Sequence, residues 1–279
     1  MDGVHFTRAH LTFEEIGHRA LASNLSDIAA MGARPVLATV ALGVPQDMRP
    51  DQLLAVYAGI DQLARLHACV IAGGDIVRSP SLLLSITIVG EVRRTHIKRR
   101  SRARKNDILV VTGPLGASRA GLDSFAHVDA LDGELLAQAR RKHAMPEPRL
   151  AEGKWLAASE YVHAMMDLSD GISVDVARLG SASKLAAELS EIPVAPSAQA
   201  MAAALGCDAV DYAVAGGEDF ELLAAVAPRA VRHLSERFKK RFGRPLYPIG
   251  RLHEGTGVSL RNGSSLMPLY ATGWDHIAP

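Results

Sequence analysis

Two Gly-Gly-acid runs constrain this chain more than anything else in it. Gly73-Gly74-Asp75 follows the apolar segment Cys69 to Ala72, and Gly216-Gly217-Glu218 follows Val210 to Val214. A glycine pair lets a backbone approach a ligand closely, and the acid after it puts charge at that mouth. A plain turn is the alternative. Between the runs lies a basic tract, His96 to Lys105, holding Lys98, Arg99, Arg100, Arg102, Arg104 and Lys105. Such a tract reads as a solvated linker, and it marks a boundary. The pattern predicts two successive units of mixed helix and strand, residues 1–100 and 101–279.

Within the first unit, Thr12-Phe13-Glu14-Glu15 has the capping-box pattern and opens a helix through Ala30. Val36 to Val44 reads as a strand, Leu53 to Leu66 as a helix, Cys69 to Ala72 as a short strand, and Leu82 to Val92 as a strand. In the second unit, Asp107 to Thr112 reads as a strand. Gly133 to Ala144, Leu150 to Ser159 and Arg229 to Phe242 read as helices. Lys184 to Leu189 also reads as helix, and Val210 to Val214 as strand. Pro248 to Leu252 with Val258 to Leu260 reads as a hairpin-like pair.

A net charge of +1 and 5% aromatic residues give no signal for nucleic acid, by charge or by stacking. The longest apolar runs fall well short of the ~20 residues a membrane span needs. Cys69 and Cys207 lack the spacing of a zinc or redox pair and read as buried thiols in a reducing compartment.

Carboxylates gather at element ends: Asp27, Asp75, Asp167, Asp170 and Asp219 each stand beside glycine, serine or asparagine or close to one. In Met165-Met166-Asp167-Leu168-Ser169-Asp170-Gly171 an apolar run ends in two acids and a hydroxyl, just before a helical pattern. Oxygen ligands at such a junction suit a hard cation, and a helix start suits phosphate. Helix capping by Ser169 or Asp170 is the alternative. Two carboxylates ~4 Å apart repel by on the order of 4 kcal/mol, which divalent cations relieve. Magnesium takes one or two carboxylates and fills its shell with water and phosphate oxygens. No P-loop, GxGxxG, HExxH or GxSxG pattern is present, and no serine or cysteine nucleophile has an adjacent histidine.

The ordered set G-V-H-F (3–6), N-L-S-D-I-A-A-M-G-A-R-P (24–35), G-G-D-I-V-R-S (73–79), V-T-G-P-L-G (111–116), D-L-S-D-G-I (167–172), G-G-E-D-F-E-L-L (216–223) and G-W-D-H (273–276) resembles the thiamine-monophosphate kinases. These belong to the superfamily of aminoimidazole ribonucleotide synthetase. The resemblance runs nearly end to end. It implies an α+β, two-domain fold, with an N-terminal αβ domain lending strands to a barrel across a homodimer and a C-terminal mixed α/β domain. It implies a cytoplasmic enzyme, with no nucleic-acid or membrane partner. ATP and thiamine phosphate would give thiamine diphosphate by in-line transfer, with several Mg2+ ions. Asp27, Asp75, Asp167 and Asp170 would be metal ligands. Gly74, Asp75, Arg100 and Ser169 would contact ATP, and His5, Glu218 and Trp274 would contact thiamine phosphate. Two alternatives stay open: another ATP-using synthetase of the superfamily, or a non-catalytic nucleotide-binding remnant.

The sequence also departs from the family pattern. Asp2 stands for the usual Glu, Ile76 for Thr, and Arg102, Asn106 and Lys184 for glycines. Family members carry an acidic G-D-D strand and a further Asp before G-V-H-F. By that comparison, the chain is expected to begin inside a strand.

Overall fold

The structure, a computed structural model, describes residues 1–263 and 265–270. Residues 1–12 form turns rather than the expected strand, anchored where Asp2 N–H donates to Leu82 O at 2.9 Å. Helix α1 (Phe13–Ala30) begins at the expected capping box. Glu15 N–H donates to Thr12 Oγ1 at 3.2 Å, and Thr12 N–H to Glu15 Oε2 at 2.8 Å. Strand β1 (Arg34–Val44), helix α2 (Pro50–Leu66), β2 (Val70–Arg78) and β3 (Leu83–Glu91) complete the first unit. β1 is central, parallel to β2 and antiparallel to β3. Its inward residues Ala38, Val40 and Leu42 pack on Leu21 and Leu25 of α1 and Val56, Ile60 and Leu63 of α2.

Gly73-Gly74-Asp75 does not turn. β2 runs straight through it, because a bulge opposite Ala38 and Thr39 reseats the register so that Gly74 pairs with Val40. A Cβ on Gly74 would lie 1.8 Å from Val40 O. We therefore predict that Gly74→Ala forces β2 off β1 and costs about 1–3 kcal/mol, read as a lower denaturation midpoint.

Two 3-10 turns, Arg94–His96 and Arg100–Arg102, carry the basic tract into the second unit. There follow β4 (Ile108–Val111), α3 (Ala117–Asp123), α4 (Gly133–Ala144), α5 (Leu150–Ala157), β5 (Val162–Asp167), α6 (Ile172–Ser183), β6 (Leu185–Leu189), α7 (Pro196–Leu205), α8 (Ala209–Val214), β7 (Leu222–Val226), α9 (Val231–Phe242), β8 (Tyr247–Glu254), β9 (Val258–Asn262) and β10 (Ser265–Pro268). The strands form one sheet in the order β10-β9-β6-β8-β4-β7-β5. Side chains alternate across it. Val110, Met165 and Ala224 join the core shared with α1, while Leu109, Val111, Met166 and Leu223 pack with Ile172, Val176 and Leu179 of α6.

Several sequence expectations are corrected here. Residues 185–189 are strand, because Lys184 takes a left-handed conformation (φ +58) that ends α6, and pairing with β8 and β9 overrides the helix propensity of Ala-Ala-Glu-Leu. Residues 209–214 are helix, nucleated by Asp208, whose carboxylate accepts Val210 N–H at 2.8 Å and Asp211 N–H at 3.0 Å. β8 and β9 are not a hairpin, since β6 lies between them. Cys207 is exposed just past the glycine that ends α7, whereas Cys69 is buried as expected.

Candidate active site

The site grows from the pairing of β5 with β7. Asp167 faces Leu222 at the end of that antiparallel ladder, and hydrogen bonds extend it into both loops. Leu168 N–H donates to Glu221 O at 2.9 Å, Phe220 N–H to Leu168 O at 3.0 Å, and Glu218 N–H to Ser169 O at 2.7 Å. The D-L-S-D-G and G-G-E-D-F runs, some fifty positions apart, are thereby one structure. Gly217 is required at the crossing, where a Cβ would lie 2.8 Å from Ser169 O.

A cavity of about 510 Å3 opens beside this crossing, lined in part by His5, Ser23, His143, Ser169, Asp170 and Glu218. Four residues expected from sequence, His5, Ser169, Asp170 and Glu218, therefore meet there. Asp167 lies just behind, 8% exposed, and Ser26 Oγ donates to its Oδ2 at 2.7 Å. Burial pushes the Asp167 carboxyl up to about 6, with the charge of Asp27 the next cause and that of Asp170 a smaller one. Asp27 keeps an open face on α1, and partial desolvation raises its carboxyl above the usual range.

Not every expected ligand joins them. Asp75 is exposed on β2, where its Oδ1 accepts Ile76 N–H at 2.8 Å, and neither it nor Gly74 lines the cavity. The Arg100 carbonyl accepts from Ser183 Oγ at 2.7 Å, at the far end of α6 from Asp170. Those twelve residues of helix span about 18 Å. Trp274 lies outside the described residues. Asp219 is no ligand at the mouth. It is buried, and it accepts Gly116 N–H at 2.6 Å and Ser118 N–H at 3.1 Å, fixing the start of α3. Among the described residues no group of three or more His, Cys, Asp or Glu is arranged to hold a metal ion. What fits Mg2+ is the Asp27–Asp167 pair: hard oxygen donors whose mutual repulsion and desolvation a dication offsets.

Sequence reading missed residues that shape this site. Asp175, fully buried, accepts Ser169 N–H at 3.0 Å and Asp170 N–H at 3.1 Å on one oxygen, and Arg178 at 3.2 Å on the other. Arg178 also grips Asp170. Burial pushes Asp175 up to about 7, with the charge of Asp170 the next cause. Its i,i+3 spacing to Arg178 was the available signal. Asp175→Ala leaves two loop N–H groups without their acceptor. We predict that it lowers kcat/KM at least tenfold while far-UV circular dichroism stays unchanged.

Comparison with known proteins shows the family to which this chain belongs. Residues 1–92 match the family model for the AIR synthase related protein, N-terminal domain, and residues 104–262 its C-terminal domain. The thiamine-monophosphate kinase of Synechococcus elongatus is 35% identical, over 94% of this chain and 79% of that protein. The chain belongs to the thiamine-monophosphate kinase family. Among solved thiamine-monophosphate kinases, that of Stenotrophomonas maltophilia is 34% identical with a TM-score of 0.84, over 95% of this chain and 83% of that one. AaThiL complexed with AMPPCP and TMP is 28% identical, also with a TM-score of 0.84, over 99% and 84%. The two-domain mixed α/β architecture is that of these thiamine-monophosphate kinases.

Proposed function

We propose that this chain transfers the γ-phosphate of ATP to thiamine phosphate, giving thiamine diphosphate and ADP. The carrying observation is that His5, Ser169, Asp170 and Glu218, from three distant segments and all matched to family motifs, line one cavity. A relative at the same fold similarity was solved with AMPPCP and TMP, which supports a site for both partners. We take the transfer as in-line and direct: among the described residues lining the cavity, the serine–histidine contact, Ser118 with His143, is a poor nucleophile–base pair. Ser118 and His143 come no closer than 3.4 Å, and burial drives His143 down to about 3.

Mg2+, held by Asp27 and Asp167 with Asp170 beside them, would neutralise phosphate charge as it develops. Asp170 and Ser169 sit on the loop that Asp175 shapes, so they meet the phosphates in fixed positions. Glu218 and His5 face the thiamine end, where a carboxylate complements a cationic thiazolium. Gly74, Asp75 and Arg100, which lie outside this cavity, are assigned to ATP by their family motifs alone, as Trp274 is to thiamine phosphate.

The same reading makes the protein a homodimer. The edge strand β2 exposes Ile76 and Val77, and β3 exposes Leu83 and Val89. An apolar edge of this kind is suited to covering by further strands, as in a shared barrel. Among the described residues no helix is long and apolar enough to cross a membrane. A cytoplasmic location goes with the proposed use of ATP. Incubation with ATP, Mg2+ and thiamine phosphate is expected to yield thiamine diphosphate. ADP release only with a different small molecule would instead point to another synthetase of the superfamily.

A further inference from the structure

Arg19 has no part in the assignments above, yet it is 4% exposed and its guanidinium reaches three separate segments. Its Nε donates to His5 O at 3.2 Å, one Nη to His143 O, and the other to the Glu218 carboxylate. His5, His143 and Glu218 all line the cavity, whereas Arg19 does not. The guanidinium therefore works from behind the wall. It ties the N-terminal turn, the end of α4 and the Gly-Gly-Glu loop to α1.

Glu218 needs such a tie. It is a non-glycine residue at φ +62, a left-handed conformation that persists only where its surroundings fix it. Its backbone is held by the bond to Ser169 O. Its side chain remains about one third exposed, and among the described residues its hydrogen-bonded ion pair is with Arg19. That pair occupies Oε2, which leaves Oε1 available to a substrate donor. Arg19 also lies seven residues before Ser26, two helical turns along α1, so one helix carries both this clamp and the hydroxyl that holds Asp167. The five fixed donors of a guanidinium suit three acceptors at once, which a lysine ammonium cannot match in geometry.

We propose that Arg19 is the positioning residue of the thiamine-phosphate subsite, presenting Glu218 and His5 to the organic end of the substrate. This rests on the functional reading above. In the full chain, Arg19→Gln is expected to raise KM for thiamine phosphate roughly ten- to a hundredfold with KM for ATP unchanged. Arg19→Lys is expected to recover part of that loss, since it restores the charge but not all three bonds. Because Arg19 acts through Glu218, the Arg19→Gln/Glu218→Gln double variant should be no worse than Glu218→Gln alone. Losses that multiply, or an equal rise in KM for ATP, overturn the proposal.

A structural arm needs no turnover. In a crystal structure of Arg19→Gln, the Glu218 carboxylate is expected to leave its place while the Glu218 N–Ser169 O bond stays. An unmoved carboxylate overturns the role of Arg19. A wild-type chain that makes no thiamine diphosphate overturns the functional reading instead. Should Arg19→Gln fail to fold, Arg19→Lys carries the kinetic arm. A KM for thiamine phosphate equal to wild type then counts against the proposal.

Discussion

Asp167→Asn is expected to lower kcat for thiamine phosphate by at least about a hundredfold, near 2.7 kcal/mol of transition-state stabilisation, with the protein still folded. Asp170→Asn is expected to do the same. Asparagine keeps the shape and one acceptor oxygen but removes the charge that a dication and a migrating phosphate need. Near-normal activity of either variant at saturating Mg2+ would remove that residue from the metal set. The folded state should not suffer, because Asp167 is a charge the fold opposes. Its carboxyl is raised from 3.8 to about 6, mainly by burial. Between those values the native state binds more protons than the unfolded chain. Metal-free stability therefore falls as pH rises from about 4 to about 6, by on the order of 3 kcal/mol for this group. Asp167→Asn should flatten that fall, as should Mg2+ in the wild type. Urea unfolding at pH 4, 5 and 6 in a chelator measures the slope, and an unchanged slope in the variant would show that Asp167 does not titrate as argued.

The second large effect concerns stability. Glu221→Ala is expected to destabilise the protein by about 3–5 kcal/mol, lowering Tm by roughly 10 °C. Glu221 is 1% exposed and accepts from Lys142 Nζ at 2.9 Å, Arg149 Nη2 at 2.7 Å, Arg244 Nη1 at 3.3 Å and Thr112 Oγ1 at 2.7 Å. Burial alone would raise its carboxyl, but the three cations overcome burial and hold it well below the usual range. Removing it takes the buried carboxylate from Lys142 and Arg149, both largely buried, and leaves Arg149 the exposed Glu147 carboxylate at 3.2 Å. For a depressed acid the stabilisation is present above the unfolded value of 4.5 and is lost as pH falls through the folded one. Glu221→Ala should therefore remove part of the wild-type acid sensitivity. Differential scanning calorimetry is the direct check, and a Tm within about 2 °C of wild type would refute the network's role.

Local signals in the sequence were sufficient where the local chain decides the outcome. The Thr12–Glu15 box set the start of α1 because both of its hydrogen bonds close within four residues. Residues 185–189 were misread because their strand state depends on β8 and β9, more than fifty positions downstream. The same division runs through the site. Ser169, Asp170, Glu218 and His5 stood out by motif. Asp75 and Arg100 did too, but a family pattern fixes residue identity without fixing the distance between one residue and another. Arg19 gave no signal at all: its partner Glu218 is 199 positions away, and an arginine on a helix reads as surface.

The strand order has a temporal consequence. Among the described residues, β4, β5 and β6, which end at Leu189, pair only with β7, β8 and β9, which begin at Leu222, and not with each other. During synthesis the first unit can close its sheet once Glu91 has emerged. The second waits with three unpaired strands until residues 222–262 arrive. That interval, several seconds at about 5–20 residues per second, is when nascent chains would be most prone to associate wrongly and most dependent on a chaperone.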